Sequence, residues 1–217
     1  MDIQALVFDL DGLMIESEQY HFDALKELLA RYGKQASLEW FHSMIGIDNE
    51  QSAQFILAQT GIPLTSNAFN DMRYEIITRL LPRMCKPKAG LSDLLKAVSE
   101  RGLRLSIASN SRQDYVIKAL TILNILNYFK CILTSDNVAH AKPAPDLYLA
   151  AASCLGTSPE KCLAVEDSPY GIQAALGAGM PCVAVPNPDL QDQDFKGATF
   201  VFSSLVEFWR SLDQVLK

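Results

Sequence analysis

Apolar residues along this chain fall into two rhythms. Recurrence every three or four positions predicts amphipathic helices, and short unbroken runs predict buried strands. The chain opens on such a run, Ile3, Ala5, Leu6, Val7 and Phe8, which ends abruptly at Asp9, Leu10, Asp11 and Gly12. A run this rich in β-branched and aromatic residues predicts a strand buried on both faces, as in a parallel sheet covered by helices. Four helical patterns follow. Glu18 to Tyr32 aligns Phe22, Leu25, Leu28, Leu29 and Tyr32, with Ser17 as a cap and Gly33 as a stop. A short apolar helix after Ser37 carries Leu38, Trp40, Phe41, Met44 and Ile45 and closes at Gly46. Asp48 can cap a third, from Asn49 to Gln59, ending at Gly61 and Pro63. The fourth, Asn67 to Leu81, carries Phe69, Met72, Ile76, Ile77 and Leu80 and is terminated by Pro82 and Pro87. No strand pattern falls between about Glu16 and Lys86. A helical bundle is therefore expected directly after the first strand, with Trp40, Phe41 and Tyr74 in its core.

From Leu91 onward helices alternate with short apolar runs, which predicts repeated βαβ units. Helix Leu91 to Arg101 precedes strand Leu103 to Ala108, which finishes at Ser109 and Asn110. Helix Gln113 to Leu123 precedes strand Cys131 to Leu133, and a helix from Pro145 to Leu155 precedes strand Lys161 to Val165, which ends in Glu166 and Asp167. Helix Tyr170 to Leu176, strand Cys182 to Val185, a polar segment from Pro186 to Lys196, a short strand at Thr199 to Phe202 and a helix capped by Ser203 or Ser204 complete the chain. The expected class is α/β, a parallel-sheet core with an inserted α-helical bundle. Gly177 and Gly179 form the single GxG, placed after a helix and before a strand, so they read as a turn rather than a dinucleotide loop.

Composition narrows the function. The 217 residues suffice for one sizeable domain or a core with a smaller insert, and a net charge of -6 with no Lys or Arg cluster argues against nucleic-acid binding. The apolar stretch Ala174 to Val185 is broken by Gly177, Gly179 and Pro181 and cannot span a bilayer as a helix. Five cysteines, Cys85, Cys131, Cys154, Cys162 and Cys182, show no metal or redox spacing and read as reduced, buried thiols of a cytoplasmic protein. A monomer is expected.

Chemistry enters at the strand ends. In parallel sheets the carboxyl ends of the strands share one edge, where ligands bind. That edge should gather Asp9 and Asp11, Ser109 and Asn110, and Glu166 and Asp167, with Lys142 in the AKPAPD loop as a fourth contributor. A lone Asp after a strand is commonly a turn residue or helix cap, and Ser109, Asn110, Asp167 and Ser168 admit the same reading. Two carboxylates side by side, however, require a divalent cation or a perturbed pKa.

The order FDLDG, ASN, KPAPD and VEDS, with Gly171 shortly after, resembles the four motifs of the haloacid dehalogenase superfamily, and all four are intact. The resemblance implies a Rossmann-like core from residues 1–14 and 88–217 and a helical cap at 15–87, as in the β-phosphoglucomutase-like and sugar phosphatase branch. It makes Asp9 the nucleophile and a Mg²⁺ ligand. Asp11 becomes the general acid and then base, lending its backbone carbonyl to the metal. Asp167 completes the metal site with Glu166 beside it, and Ser109, Lys142 and the amides near Leu10, Asp11 and Asn110 bind the phosphoryl group.

Cap residues bear on the substrate. A β-phosphoglucomutase carries an arginine in the loop matching Gly46 to Glu50, whereas this chain has Asn49, which favours water as the acceptor. His21 resembles a hinge histidine of this branch and also fits a helix surface; Glu18 and Arg73 are candidates for contacting a sugar-like substrate or are plain surface charges. The expected activity is a Mg²⁺-dependent phosphatase acting on a small phosphorylated metabolite, a sugar or polyol phosphate. A hexose-phosphate mutase is the enzymatic alternative, and a module that binds phosphorylated ligands without turnover is the non-enzymatic one.

Overall fold

The computed structural model describes residues 2–45, 47–187 and 195–217. Its apolar runs form a six-stranded sheet: β1 (Ala5–Phe8), β2 (Arg104–Ser109), β3 (Cys131–Thr134), β4 (Cys162–Glu166), β5 (Cys182–Ala184) and β6 (Phe200–Val201). The order is β3-β2-β1-β4-β5-β6 with every pairing parallel, so the chain reverses its direction of winding at β1. β1 is central and fully buried. Its side chains alternate between two apolar layers, as strand geometry demands. Leu6 and Phe8 pack with Leu94 and Leu95 of α5 (Leu91–Glu100) and Val116 and Leu120 of α6 (Gln113–Ile122). Ala5 and Val7 pack with Leu147 and Tyr148 of α7 (Asp146–Leu155) and Ile172 of α8 (Pro169–Gly177). Burial of Leu6, Val7 and Phe8 stabilises the sheet by roughly 1.5–3 kcal/mol each.

Between β1 and β2 the chain inserts α1 (Glu18–Ala30), α2 (Leu38–Ser43), α3 (Asn49–Thr60) and α4 (Ser66–Met84). The two connections to this helical cap run side by side: Ile15 bridges Pro87, and the Glu16 and Lys88 amides donate to Lys86 O at 3.0 Å and Met14 O at 2.9 Å. Side chains of Ser37, Asp48 and Thr65 cap α2, α3 and α4, and Gly61 closes α3 in the left-handed region that glycine tolerates. Ser17 does not cap α1 with its side chain; it faces the cleft instead. Pro82 does not terminate α4, which runs on to Met84. The carbonyl that a residue at 82 would have bonded belongs to Thr78, and Lys118 Nζ donates to it at 3.0 Å, supplying the donor that proline lacks. Tyr74 is buried as expected, whereas Trp40 is half-buried against Phe55 and Phe41 lines the cleft. The closing role given to Gly46 lies outside the described residues.

Two short helices, α9 (Leu205–Arg210), capped by Ser204, and α10 (Leu212–Val215), end the chain, and Leu126–Tyr128 forms a 3₁₀ turn. Most of the polar segment after Pro186 lies outside the described residues. Cys131 and Cys154 are joined in a disulfide rather than reduced, because β3 and α7 pack together and bring residues 23 apart in sequence to a Cα separation of 6.4 Å. This pairing removes the thiol argument for a reducing compartment. Cys162 and Cys182 are buried thiols and Cys85 is half-buried. Among the described residues no helix is long and apolar enough to cross a membrane.

Candidate active site

Register places the chemistry. Phe8 pairs with Ile107 on β2 and Val165 on β4, so Asp9 lies level with Ala108 and Glu166, one step past the last apolar row. Asp9 and Glu166 continue the face of Ala5, Val7 and Ala164 and therefore point toward α7. There Lys142, only 3% exposed, reaches both carboxylates, Nζ to Asp9 Oδ1 at 2.6 Å and to Glu166 Oε1 at 2.5 Å. Tyr148 of α7 also donates its hydroxyl hydrogen to Glu166 Oε1. Asp9, Glu166 and Asp167 each offer a carboxylate oxygen within 4.8 Å of the others, and all three are buried. Ser168 accepts from the Gly171 amide at 3.2 Å and so caps α8, which leaves Asp167 to the acid cluster.

The electrostatics follow from this crowding. Burial, reinforced by the Glu166 and Asp11 charges, pushes Asp9 up to about 8 despite the pull of Lys142. Asp167 is raised well above the usual carboxylate range by burial and then by Asp9 and Glu166. Burial alone would pull Lys142 down, but the two carboxylates beside it hold it above the ordinary lysine value. Three buried carboxylates with one ammonium are short of positive charge. An all-oxygen donor set of this kind fits a hard divalent cation, which would relieve the repulsion that raises Asp9 and Asp167.

Asp11 stands apart. Its Oδ1 accepts from the Tyr115 hydroxyl at 2.5 Å and lies 3.5 Å from His21 Nε2, and its Oδ2 accepts from Ser111 at 2.7 Å. Burial would raise it, but His21 first, then Tyr115 and Ser111, more than offset this and leave it below the usual range. Tyr20 of α1 extends the network, with 2.6 Å between its hydroxyl and that of Tyr115. Tyr115, Ser111 and Tyr148 escaped sequence reasoning. The two tyrosines lie on buried helix faces, and nothing in their spacing separates a packed ring from a hydroxyl donor.

Asp9, Asp11, Ser109, Asn110 and Asp167, all at strand ends, line one cleft together with Lys142 from its loop; Glu166 sits behind it, fully buried. Ser109 Oγ accepts from the Ser111 amide at 3.1 Å. The Asn110 side chain is occupied in tying its loop to that of Lys142, with Nδ2 to Lys142 O at 3.1 Å and the Lys142 amide to Oδ1 at 2.8 Å. The Leu10 side chain is fully buried. Glu18, His21, Asn49 and Arg73, all on the helical insert, line the same cleft. Glu18 Oε1 accepts from Asn187, whose Nδ2 also lies 3.4 Å from Asp167 Oδ2, linking cap and acid cluster.

Gly171 has a steric reason. A Cβ there would sit 2.0 Å from the Glu166 carboxylate. Gly171→Ala is expected to displace Glu166 and destabilise the protein by roughly 1–3 kcal/mol through overpacking, read as a lowered urea midpoint. A wild-type midpoint would refute the contact.

A six-stranded parallel sheet with an α-helical insertion after its first strand, and an acid cluster with a buried lysine at the strand ends, defines a class of capped hydrolases. The haloacid dehalogenase-like hydrolase family matches residues 6–185, and this chain belongs to it. It is an enzyme, a phosphohydrolase of that family. The chain is 37% identical over 188 residues to the putative phosphatase YhcW of Bacillus subtilis, covering 85% of this chain and 84% of that protein. It is 32% identical over 181 residues to the fructose-1-phosphate phosphatase YqaB of Escherichia coli, covering 83% and 95%. Among solved structures, CbbY of Rhodobacter sphaeroides in complex with phosphate superposes with a TM-score of 0.88 at 27% identity, covering 95% of this chain and 96% of that one.

Proposed function

We propose that this protein is a Mg²⁺-dependent phosphatase that hydrolyses a sugar or polyol phosphate through an aspartyl-phosphate on Asp9. The observation that carries the reading is the division of labour between two carboxylates two residues apart. Asp9 belongs to the acid cluster and Lys142, while Asp11 is held away from it by Tyr115 and Ser111. An oxygen of Asp9 attacks phosphorus as the bond to the sugar oxygen breaks. Asp11, which the site without substrate holds ionised, takes up a proton as the phosphate dianion enters beside it and raises its pKa, gives that proton to the departing oxygen, then takes one from the water that attacks the aspartyl-phosphate, which frees inorganic phosphate and restores both groups. Lys142 offsets charge on the equatorial oxygens, and Ser109 and the amides near Leu10, Asp11 and Asn110 donate to them. Asp9, Asp167, Glu166 and the Asp11 carbonyl would hold the magnesium ion, which when bound supplies further positive charge at the phosphoryl group.

Similarity to the Escherichia coli fructose-1-phosphate phosphatase supports a sugar phosphate as substrate. Water as acceptor is favoured over a second sugar phosphate by Asn49, which leaves its loop without a cation of its own. The test is phosphate release from a panel of sugar, polyol and glycolytic phosphates with Mg²⁺ or with EDTA. Release is expected with Mg²⁺, and EDTA should suppress it. Failure to release phosphate from any member, with conversion of a hexose 1-phosphate to its 6-phosphate after a bisphosphate primer is added, would overturn the phosphatase in favour of the mutase.

A further inference from the structure

Lys142 stands on an irregular stretch of chain. It lies in residues 138–145, between a 3₁₀ turn at Ser135–Asn137 and α7, where the backbone forms neither helix nor strand. A lysine side chain is a flexible four-carbon stem, so its ammonium keeps one position only if the main chain beneath it is fixed. One side chain does the fixing. Asn110 Oδ1 accepts from the Lys142 amide at 2.8 Å, and Asn110 Nδ2 donates to the Lys142 carbonyl at 3.1 Å. The primary amide thus pairs with both backbone groups of one residue, as a neighbouring strand would. Among side chains of that length only asparagine offers a donor and an acceptor in one plane.

The main chain of Asn110 is also a point where the cap meets the core. Asn49, at the start of α3, donates from Nδ2 to Asn110 O at 2.9 Å and to Tyr74 Oη of α4 at 3.1 Å. Both hydrogens of that amide are spent on protein partners, one in the core and one in the cap. On its other side Asn49 Oδ1 accepts from Arg73 Nη2 at 2.7 Å, and Asn49 O accepts from Asn70 at 3.0 Å, so the residue is held firmly by its own helices. A continuous set of contacts then leads from the cap to the reacting centre. It runs from Asn49 to the Asn110 carbonyl, from the Asn110 side chain to the Lys142 backbone, and from Lys142 Nζ to Asp9 and Glu166.

We propose that Asn110 is a positioning residue for Lys142. Its side chain sets where the ammonium stands between Asp9 and Glu166, and its carbonyl passes the seating of the cap, through Asn49, to that ammonium. The kinetic consequence rests on the phosphatase reading above; the placement of the ammonium does not. The main-chain amide of residue 110 keeps its own role at the phosphoryl group when the side chain is replaced.

The test has a spectroscopic and a kinetic arm, with melting temperatures recorded for every variant. In protein labelled with ¹⁵N-lysine, the Lys142 ammonium, buried in its two ion pairs, should give a resonance protected from exchange with water and absent from Lys142→Met. Asn110→Ala should shift that resonance or abolish its protection, and Asn49→Ala should move it in the same direction by less. A resonance unchanged in a folded Asn110→Ala protein would overturn the positioning role, and one unchanged in Asn49→Ala would overturn the link to the cap. In phosphate release, Asn110→Ala should lower kcat by roughly 10–100-fold, the scale of an ångström-sized misplacement of a catalytic group, with KM within about threefold of wild type. Asn110→Asp keeps the acceptor for the Lys142 amide but sets a carboxylate against the Lys142 carbonyl, so it should do no better than alanine. In the Lys142→Met background Asn110→Ala should cost less than about threefold, because the group it positions is gone. Equal losses in both backgrounds would show that Asn110 does not act through Lys142. A wild-type protein that releases phosphate from no ester sinks the phosphatase and leaves the lysine resonance to decide the role of Asn110.

Discussion

Asp9→Asn is expected to abolish Mg²⁺-dependent phosphate release, lowering kcat by roughly 10⁴-fold or more, as removal of a covalent nucleophile does elsewhere. The amide keeps the shape of the carboxylate but cannot attack phosphorus. It also cannot ionise, so it removes from the cluster a carboxyl whose charged form burial and the neighbouring carboxylates already disfavour, pushing Asp9 up to about 8. The variant should therefore melt no lower than wild type in EDTA, and Glu166 still neutralises Lys142 at 2.5 Å. Opposite movements of activity and stability separate a nucleophile from a structural acid. Residual turnover within tenfold of wild type would remove Asp9 from the chemistry.

Lys142→Met should damage both properties together. The side chain keeps its length and loses the ammonium that sits between Asp9 and Glu166, leaving two buried carboxylates without their common partner. Breaking a buried ion pair on one side costs about 3–5 kcal/mol, and loss of a positive charge at the transferring phosphoryl group lowers kcat by roughly 10²–10³-fold. Urea unfolding in EDTA and steady-state phosphate release measure the two. A variant as stable as wild type would show that Lys142 is not what holds the carboxylates in place. A rise in melting temperature of this variant with Mg²⁺, larger than that of wild type, would locate the missing positive charge at the cluster.

Much of the framework can be read from short-range patterns. Ile3 to Phe8 had to be a doubly buried strand, and Asp9, Ser109 and Glu166 had to fall at the same sheet edge once the strands were parallel. The helical insert was legible because Phe69, Ile76 and Ile77 repeat at helical spacing with no strand pattern among them. Element ends were less so. Pro82 reads as a stop in isolation, and the reason it is not one is a lysine on another helix, Lys118. The disulfide was equally invisible, since Cys131 and Cys154 share no diagnostic spacing and meet only because β3 packs on α7.

The chain alone therefore determined which groups stand at the strand ends, because strand period and parallel pairing are local rules that act on consecutive residues. The tertiary structure decided how those groups divide the work. Tyr115, 104 residues from Asp11, and Ser111 draw Asp11 away from the acid cluster, while Lys142, 133 residues from Asp9, joins that carboxylate to Glu166. It likewise placed Arg73 in the cleft, where among the described residues no carboxylate pairs with it. Partners so distant along the chain leave no periodic trace in sequence, and burial, which sets the strength of every charge in the site, exists only once the helices have packed.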